Sequence, residues 1–190
     1  MKSKFSLLLV LFLGSGLFCY AQSSVKVDLY ISERYAVVSA VELDGLLVFL
    51  DSRGGVQVDR NSNVERDYNS NTDWDAPGKL NKINNLCVKY YDRFDRDELL
   101  GKVKSIGSVK FTYYDIFDRD ELIGKLKSVG GIPIKYYDIF DRDELIGKLK
   151  SVGNTKISYY DIFNADENRG KFKAITDETP NVNVIFESND

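Results

Sequence analysis

The eighteen residues YYDIFDRDELIGKLKSVG run from Tyr113 to Gly130 and recur letter for letter from Tyr136 to Gly153. An offset of 23 between identical segments marks a tandem repeat, and much of the chain falls on the same grid. Tyr91, Tyr114, Tyr137 and Tyr160 keep that spacing, each preceded by a second tyrosine and followed by aspartate. Phe94, Phe117, Phe140 and Phe163 keep it too, as do Gly78, Gly101, Gly124, Gly147 and Gly170, each followed by lysine. Upstream, Gly55 and Tyr68 lie on the grid with poorly matching residues between them, either a decayed unit or a different cap.

Two secondary structures compete for each unit. A helix could start at Asp118 with Glu121 three residues on, bury Leu122, Leu126 and Val129, and stop at Gly130. It would carry the recurrent glycine in its middle, at a cost of about 1 kcal/mol relative to alanine. Pro77 and Arg169 precede that glycine in other copies, the latter within the turn-like Glu167-Asn168-Arg169-Gly170. The β reading has a positive signal of its own. Asn84-Asn85, Gly107-Ser108, Gly130-Gly131 and Gly153-Asn154 stand between apolar runs, and such pairs accept the positive φ of tight hairpins.

Each unit is therefore expected to be one β-hairpin. A two-residue loop would set Lys127 opposite Ile134. A three-residue loop, Val129-Gly130-Gly131, pairs Ser128 with Ile132 and Leu126 with Ile134, which gathers the apolar side chains on one face. It also pairs Val103 with Phe111 and Leu149 with Ile157 in the neighbouring units. In that register Gly101, Gly124 and Gly147 face Tyr113, Tyr136 and Tyr159, and each ring would shield the bare backbone of its glycine. The first tyrosine of each pair is then structural and the second points to the opposite face.

A single hairpin of this size cannot bury its own apolar face, so the copies must stack. The fold class expected is all-β: an antiparallel meander, an open repeat sheet of 23-residue hairpins with capping strands at both ends. Val25 to Leu29 alternates, Tyr35 to Val41 is β-branched and small, and Leu43-Asp44-Gly45-Leu46 signals a hairpin. Arg60 to Asp75 reads as a long polar loop, and Val182, Val184 and Phe186 alternate as a closing strand after Pro180. The expected divisions are 1–21, a signal peptide; 22–76, an N-terminal β cap with its polar loop; 77–176, the repeats; and 177–190, a C-terminal capping strand and tail.

The first division rests on Lys2 and Lys4, the apolar run Phe5 to Phe18, and Cys19-Tyr20-Ala21, which together read as a secretory signal cleaved after Ala21. The apolar run is short for a membrane span, so no transmembrane helix is expected after cleavage. The chain has 26 basic and 29 acidic residues, and cleavage takes away two lysines and no acid. About 170 residues remain, enough for one domain with a core. Cys87 is left without a partner, so no internal disulfide forms. With no histidine in the chain, Ser-His and Cys-His nucleophile pairs and imidazole metal sites are excluded.

The period, and the seven-residue step from Phe140 to Gly147, resemble the MORN repeat over about half the chain. The second glycine of that motif and its Glu-Gly-Glu-Trp core are missing, with Tyr-Asp-Ile-Phe in their place. The chain resembles more closely the secreted tandem-repeat proteins of Bacteroidota whose units carry YYDRFD and GKxKSIG. That resemblance implies export and repetition, to the periplasm, the cell surface or the medium.

Two constellations could carry function. Asp92, Asp95, Asp97 and Glu98 recur in the next two units, and Asp161, Asn164, Asp166 and Glu167 stand in the fourth. Calcium accepts such oxygens, but the spacing lacks the central glycine of an EF-hand and each unit supplies as many cations as acids. Surface pairing with lysines is the simpler reading, so no metal or other cofactor is expected. The second constellation is a lysine face: Lys125, Lys127 and Lys135 with Tyr137, flanked by the equivalent rows at Tyr114 and Tyr160. Cations and rings in a row could track an extended anionic polymer or meet an envelope protein, although lysines on a solvated strand face are common. The acidic balance argues against nucleic acid.

The expected function is thus that of an exported, non-enzymatic repeat protein with a structural or binding role. The alternatives are a small glycan hydrolase working through a carboxylate pair among Asp28, Glu33, Glu42 and Asp44, and a calcium-stabilised surface module.

Overall fold

The computed structural model describes residues 26–32, 37–43, 46–50, 54–58, 63–163 and 168–187. The expected signal segment, the Asp44-Gly45 turn, Glu33 and Asn164 to Glu167 lie outside them. The fold is all-β, in two open sheets.

Ten strands form the larger sheet, each antiparallel to the next in chain order: β5 (Arg66–Tyr68), β6 (Leu80–Ile83), β7 (Leu86–Tyr90), β8 (Val103–Ile106), β9 (Val109–Tyr113), β10 (Leu126–Val129), β11 (Ile132–Tyr136), β12 (Leu149–Val152), β13 (Thr155–Tyr159) and β14 (Phe172–Thr176). On one side the strands turn through residue pairs 84–85, 107–108, 130–131 and 153–154, where the Gly/Asn signals stand. On the other side β7 to β8, β9 to β10 and β11 to β12 are joined by twelve-residue loops that carry the GK motif and a 3-10 turn, such as Asp120–Leu122. The Arg60–Asp75 stretch is not all loop, because β5 lies within it. Tyr68 pairs with Leu80, so this stretch contributes a strand to the larger sheet.

The hairpin register differs from the expected one. Val129 pairs with Ile132 and Ser128 with Pro133, which makes the loop two residues long. Gly130 and Gly131 both have positive φ (56° and 86°), as a type I′ turn requires. The objection to a short loop, charge on the apolar face, is removed by a bulge. Across β9 and β10, Leu126 pairs with Tyr113 and Ser128 with Thr112, so Lys127 is an extra residue. Bulges in the same place set off Lys104, Lys150 and Lys173. A bulge re-aims its side chain and lets Leu126 and Val129 both turn inward although they are three residues apart.

The aromatic shielding of glycine is also overturned, because the side chains over Gly101, Gly124 and Gly147 are Lys79, Lys102 and Lys125, with no tyrosine within 4 Å of where a Cβ would stand. The glycine is needed for its backbone instead. Gly124 has φ +79°, a left-handed conformation that ends the 3-10 turn, and its N–H donates to the Tyr114 carbonyl at 2.8 Å.

The smaller sheet has the order β15-β1-β2-β3-β4. Its strands are β1 (Lys26–Ser32), β2 (Val37–Leu43), β3 (Leu46–Leu50), β4 (Val56–Val58) and β15 (Val182–Glu187). The two expected caps are therefore parts of one sheet, joined by parallel pairing of β1 with β15. Alternation fixes its faces: Val27, Leu29, Val41, Val48 and Leu50 are buried while the residues between them are less so. These side chains belong to one hydrophobic cluster with Phe111, Tyr113, Ile134, Tyr136, Ile157 and Tyr159 of the larger sheet. The two apolar faces thus supply a shared core, and the opposite face of the larger sheet carries Lys110, Lys135 and Lys156.

Candidate functional site

The loops that join the hairpins stack into a ridge along one side of the larger sheet, and their polar side chains reach from each unit to the next. Tyr91, Tyr114 and Tyr137 donate their hydroxyls to the carbonyls of Phe111, Ile134 and Ile157 at 2.9–3.0 Å. Glu98, Glu121 and Glu144 accept the backbone N–H of Ile116, Ile139 and Ile162 at 2.9–3.0 Å. Arg96, Arg119 and Arg142 form ion pairs with Asp115, Asp138 and Asp161. Lys79, Lys125 and Lys148 donate to the carbonyls of Gly101, Gly147 and Gly170.

The second set of contacts acts within each loop. Asp115 Oδ1 accepts the Phe117 N–H at 2.9 Å and Asp118 Oδ2 accepts the Asp115 N–H at 2.9 Å. The bulge lysine Lys127 then donates to both oxygens of Asp118, at 2.8 and 2.9 Å. The equivalent Lys150 holds Asp141 likewise. Burial raises the Asp141 carboxyl, but the Lys150 ammonium and the Asp138 backbone contact outweigh it, so it sits below the usual carboxylate range. Asp115, Asp118, Asp138 and Asp141 are thus engaged by cations and amides, while Asp97, Asp120 and Asp143 are exposed. Among the described residues no three acidic or cysteine side chains gather closely enough to hold a metal ion.

The residues of the expected binding face divide into three environments. Lys125 is half-buried with its ammonium 5.2 Å from the Tyr136 ring, and burial holds its pKa below the ordinary lysine value. Lys127 lies 5.0 Å over Tyr114, and Lys150 lies 4.9 Å over Tyr137. Tyr114, Tyr137 and Tyr160 are half-buried; the first two also pack edge-on against Tyr136 and Tyr159 at 6.0 and 5.9 Å. Lys135 alone of the six is exposed. It borders a shallow groove of about 820 Å³ that Tyr137, Lys150, Lys156, Asp177 and Glu178 also line, with Lys156 paired to Asp177 at 2.9 Å. Tyr137 therefore serves two surfaces, tying units together and lining this groove.

Of the four carboxylates of the hydrolase alternative, Asp28 and Glu42 fall among the described residues. Asp28 and Glu42 stand on the outer side of the smaller sheet with Lys26 between them, at 3.8 and 3.6 Å. Asn183 donates to Asp28 at 2.8 Å.

One surface went unassigned in the sequence. Phe94, Phe117, Phe140 and Phe163 are 78–89% exposed, one at the tip of each loop, with Trp74 in the first loop at 85%. Arg96, Arg119 and Arg142 stack on Phe117, Phe140 and Phe163 at 4.2–4.6 Å, and Arg93 stacks on Trp74 at 5.4 Å. Half-exposed Ile116, Ile139 and Ile162 precede three of the rings. The available signal was a phenylalanine that recurs every 23 residues outside any alternating apolar run.

No protein-family model, curated protein or solved structure matches the chain. No helix among the described residues is long and apolar enough to cross a membrane.

Proposed function

We propose that this chain is an exported, non-enzymatic repeat protein with a structural or binding role in the cell envelope or outside the cell. The observation that carries this reading is how the repeated polar groups are used. In the units of Tyr91, Tyr114 and Tyr137 the arginine, the glutamate, the bulge lysine and the second tyrosine are all engaged in holding the loops together. Incubation with envelope and extracellular glycans should leave polymer length unchanged. Release of reducing ends that Asp28→Asn abolishes would refute the reading and revive the hydrolase.

The groove beside Lys135 favours a second element, a shallow seat for an extended anionic polymer across the lysine face. Retention on a dextran sulfate resin should then fall with salt and with Lys135→Glu plus Lys156→Glu. Retention unaffected by both would remove the polyanion.

A further inference from the structure

The exposed rings form a row. Consecutive loops are two strands apart, so Trp74, Phe94, Phe117, Phe140 and Phe163 stand roughly 9.5 Å from one another along the ridge. A fully buried aromatic side chain removes about 150–250 Å² from water, so the four phenylalanines at this exposure offer roughly 650 Å² of apolar surface, to which half-exposed Ile116, Ile139 and Ile162 add. The largest apolar patch on a typical monomer is about 300–600 Å². A standard protein interface takes about 800 Å² from each partner.

We propose that the ridge is the contact surface between two copies of this chain, packed antiparallel about a two-fold axis that crosses the row between Phe117 and Phe140. The period is the first argument. Neighbouring strands rotate by roughly 20–25°, so the row winds as it advances, and a partner must match both pitch and hand over the three intervals from Phe94 to Phe163. A second copy matches both by construction, and a two-fold contact needs only a self-complementary patch.

The chemistry of the ridge is self-complementary in the same way. Each unit presents an aromatic ring, an arginine stacked on a ring, and an exposed acid such as Asp97, Asp120 or Asp143. Rings at the centre with arginine and few other charges are the composition of interface cores, and the acids take the rim. Reversal about the axis lays the arginines of one row beside the acids of the other. The row is held ready for this, because the Asx contact of Asp115 with Phe117 and the Arg96 stack fix the ring while it is still exposed. The inference does not depend on the polyanion groove, which lies on the outer strand face.

Sedimentation equilibrium of the purified chain at about 50 µM tests it, since interfaces of this size hold at micromolar or better. The expected species is a dimer that Phe117→Ser plus Phe140→Ser converts to monomer. The melting temperature of the monomerised variant should match that of the diluted wild type, because the rings are exposed within one chain. Antiparallel order is tested in a Cys87→Ser background by mixing Phe94→Cys with Phe163→Cys, which should cross-link to each other and not to themselves. A wild type that stays monomeric, with or without a glycan or lipid vesicle bound at the ridge, overturns the proposal. So does a dimer that survives the double substitution, or self-cross-linking at Phe94→Cys.

Discussion

Truncating the two tyrosines of one pair should separate core packing from unit-to-unit bonding. Tyr136 is 7% exposed within the shared core, so Tyr136→Ala removes a buried aromatic ring at a cost of about 3–5 kcal/mol. Tyr137 is half-buried and does three smaller things. Its hydroxyl donates to the Ile157 carbonyl at 3.0 Å, its ring meets Tyr159 edge-on at 5.9 Å, and Lys150 lies over its face. Tyr137→Phe deletes the hydrogen bond alone, worth about 0.5–1.5 kcal/mol. Tyr137→Ala adds the loss of the ring contact and of half a ring's burial, for about 2–3 kcal/mol in all. Urea unfolding followed by circular dichroism reads all three. At about 2–4 °C per kcal/mol for a chain of this size, the melting temperatures should fall in the same order. A silent Tyr137→Phe would mean that the hydroxyl does not tie the units, and equal losses for the two alanine variants would mean that both rings are core.

The phenols also set a limit at high pH. Burial pushes Tyr90 up to about 12 and Tyr136 further, and raises Tyr91, Tyr114 and Tyr137. A raised folded-state value stabilises fully below the unfolded value near 10 and is lost as pH climbs through the folded values, so stability should decline above about pH 10. Tyrosinate absorbance from these residues should therefore appear together with loss of the β spectrum, and reversible ionisation near pH 10 in an intact fold would contradict it. Deleting Tyr114 to Tyr136 removes one period and should leave a β-rich protein with a lower melting temperature. Deleting eleven residues from the same point should abolish the spectrum, and if the two deletions behave alike the hairpin array is wrong.

The period and the hairpins were legible because they depend on local chemistry: Gly130, Gly131 and Asn84 stand where tight turns need positive φ. The register was not, because face segregation was counted as if each strand were regular. The extra residue Lys127 shifts the parity between Leu126 and Val129, and nothing in the residue type announces a bulge. The recurrent glycine was read through a cross-strand tyrosine when its reason was the left-handed exit from the 3-10 turn. The lysine face was half legible. Lys135 does stand on it, but the depth of Lys125 follows from the loop path and could not be read from alternation. The alternation of Val182 and Val184 announced a strand and could not name its neighbour, since a parallel pairing 155 residues away leaves no local trace.

That pairing of β1 with β15 also divides the folding of the chain into two tempos. The hairpins can form one after another as they leave the ribosome, each on its predecessor. β1, made first, has one edge open until the last strand arrives, and closing so long a loop is slow compared with hairpin formation. Val182 to Glu187 therefore acts as a latch: until it engages, the second layer lacks its outermost strand. A chain nicked anywhere between Thr176 and Val182 would keep every repeat and lose the covalent tether that brings this latch back to the start.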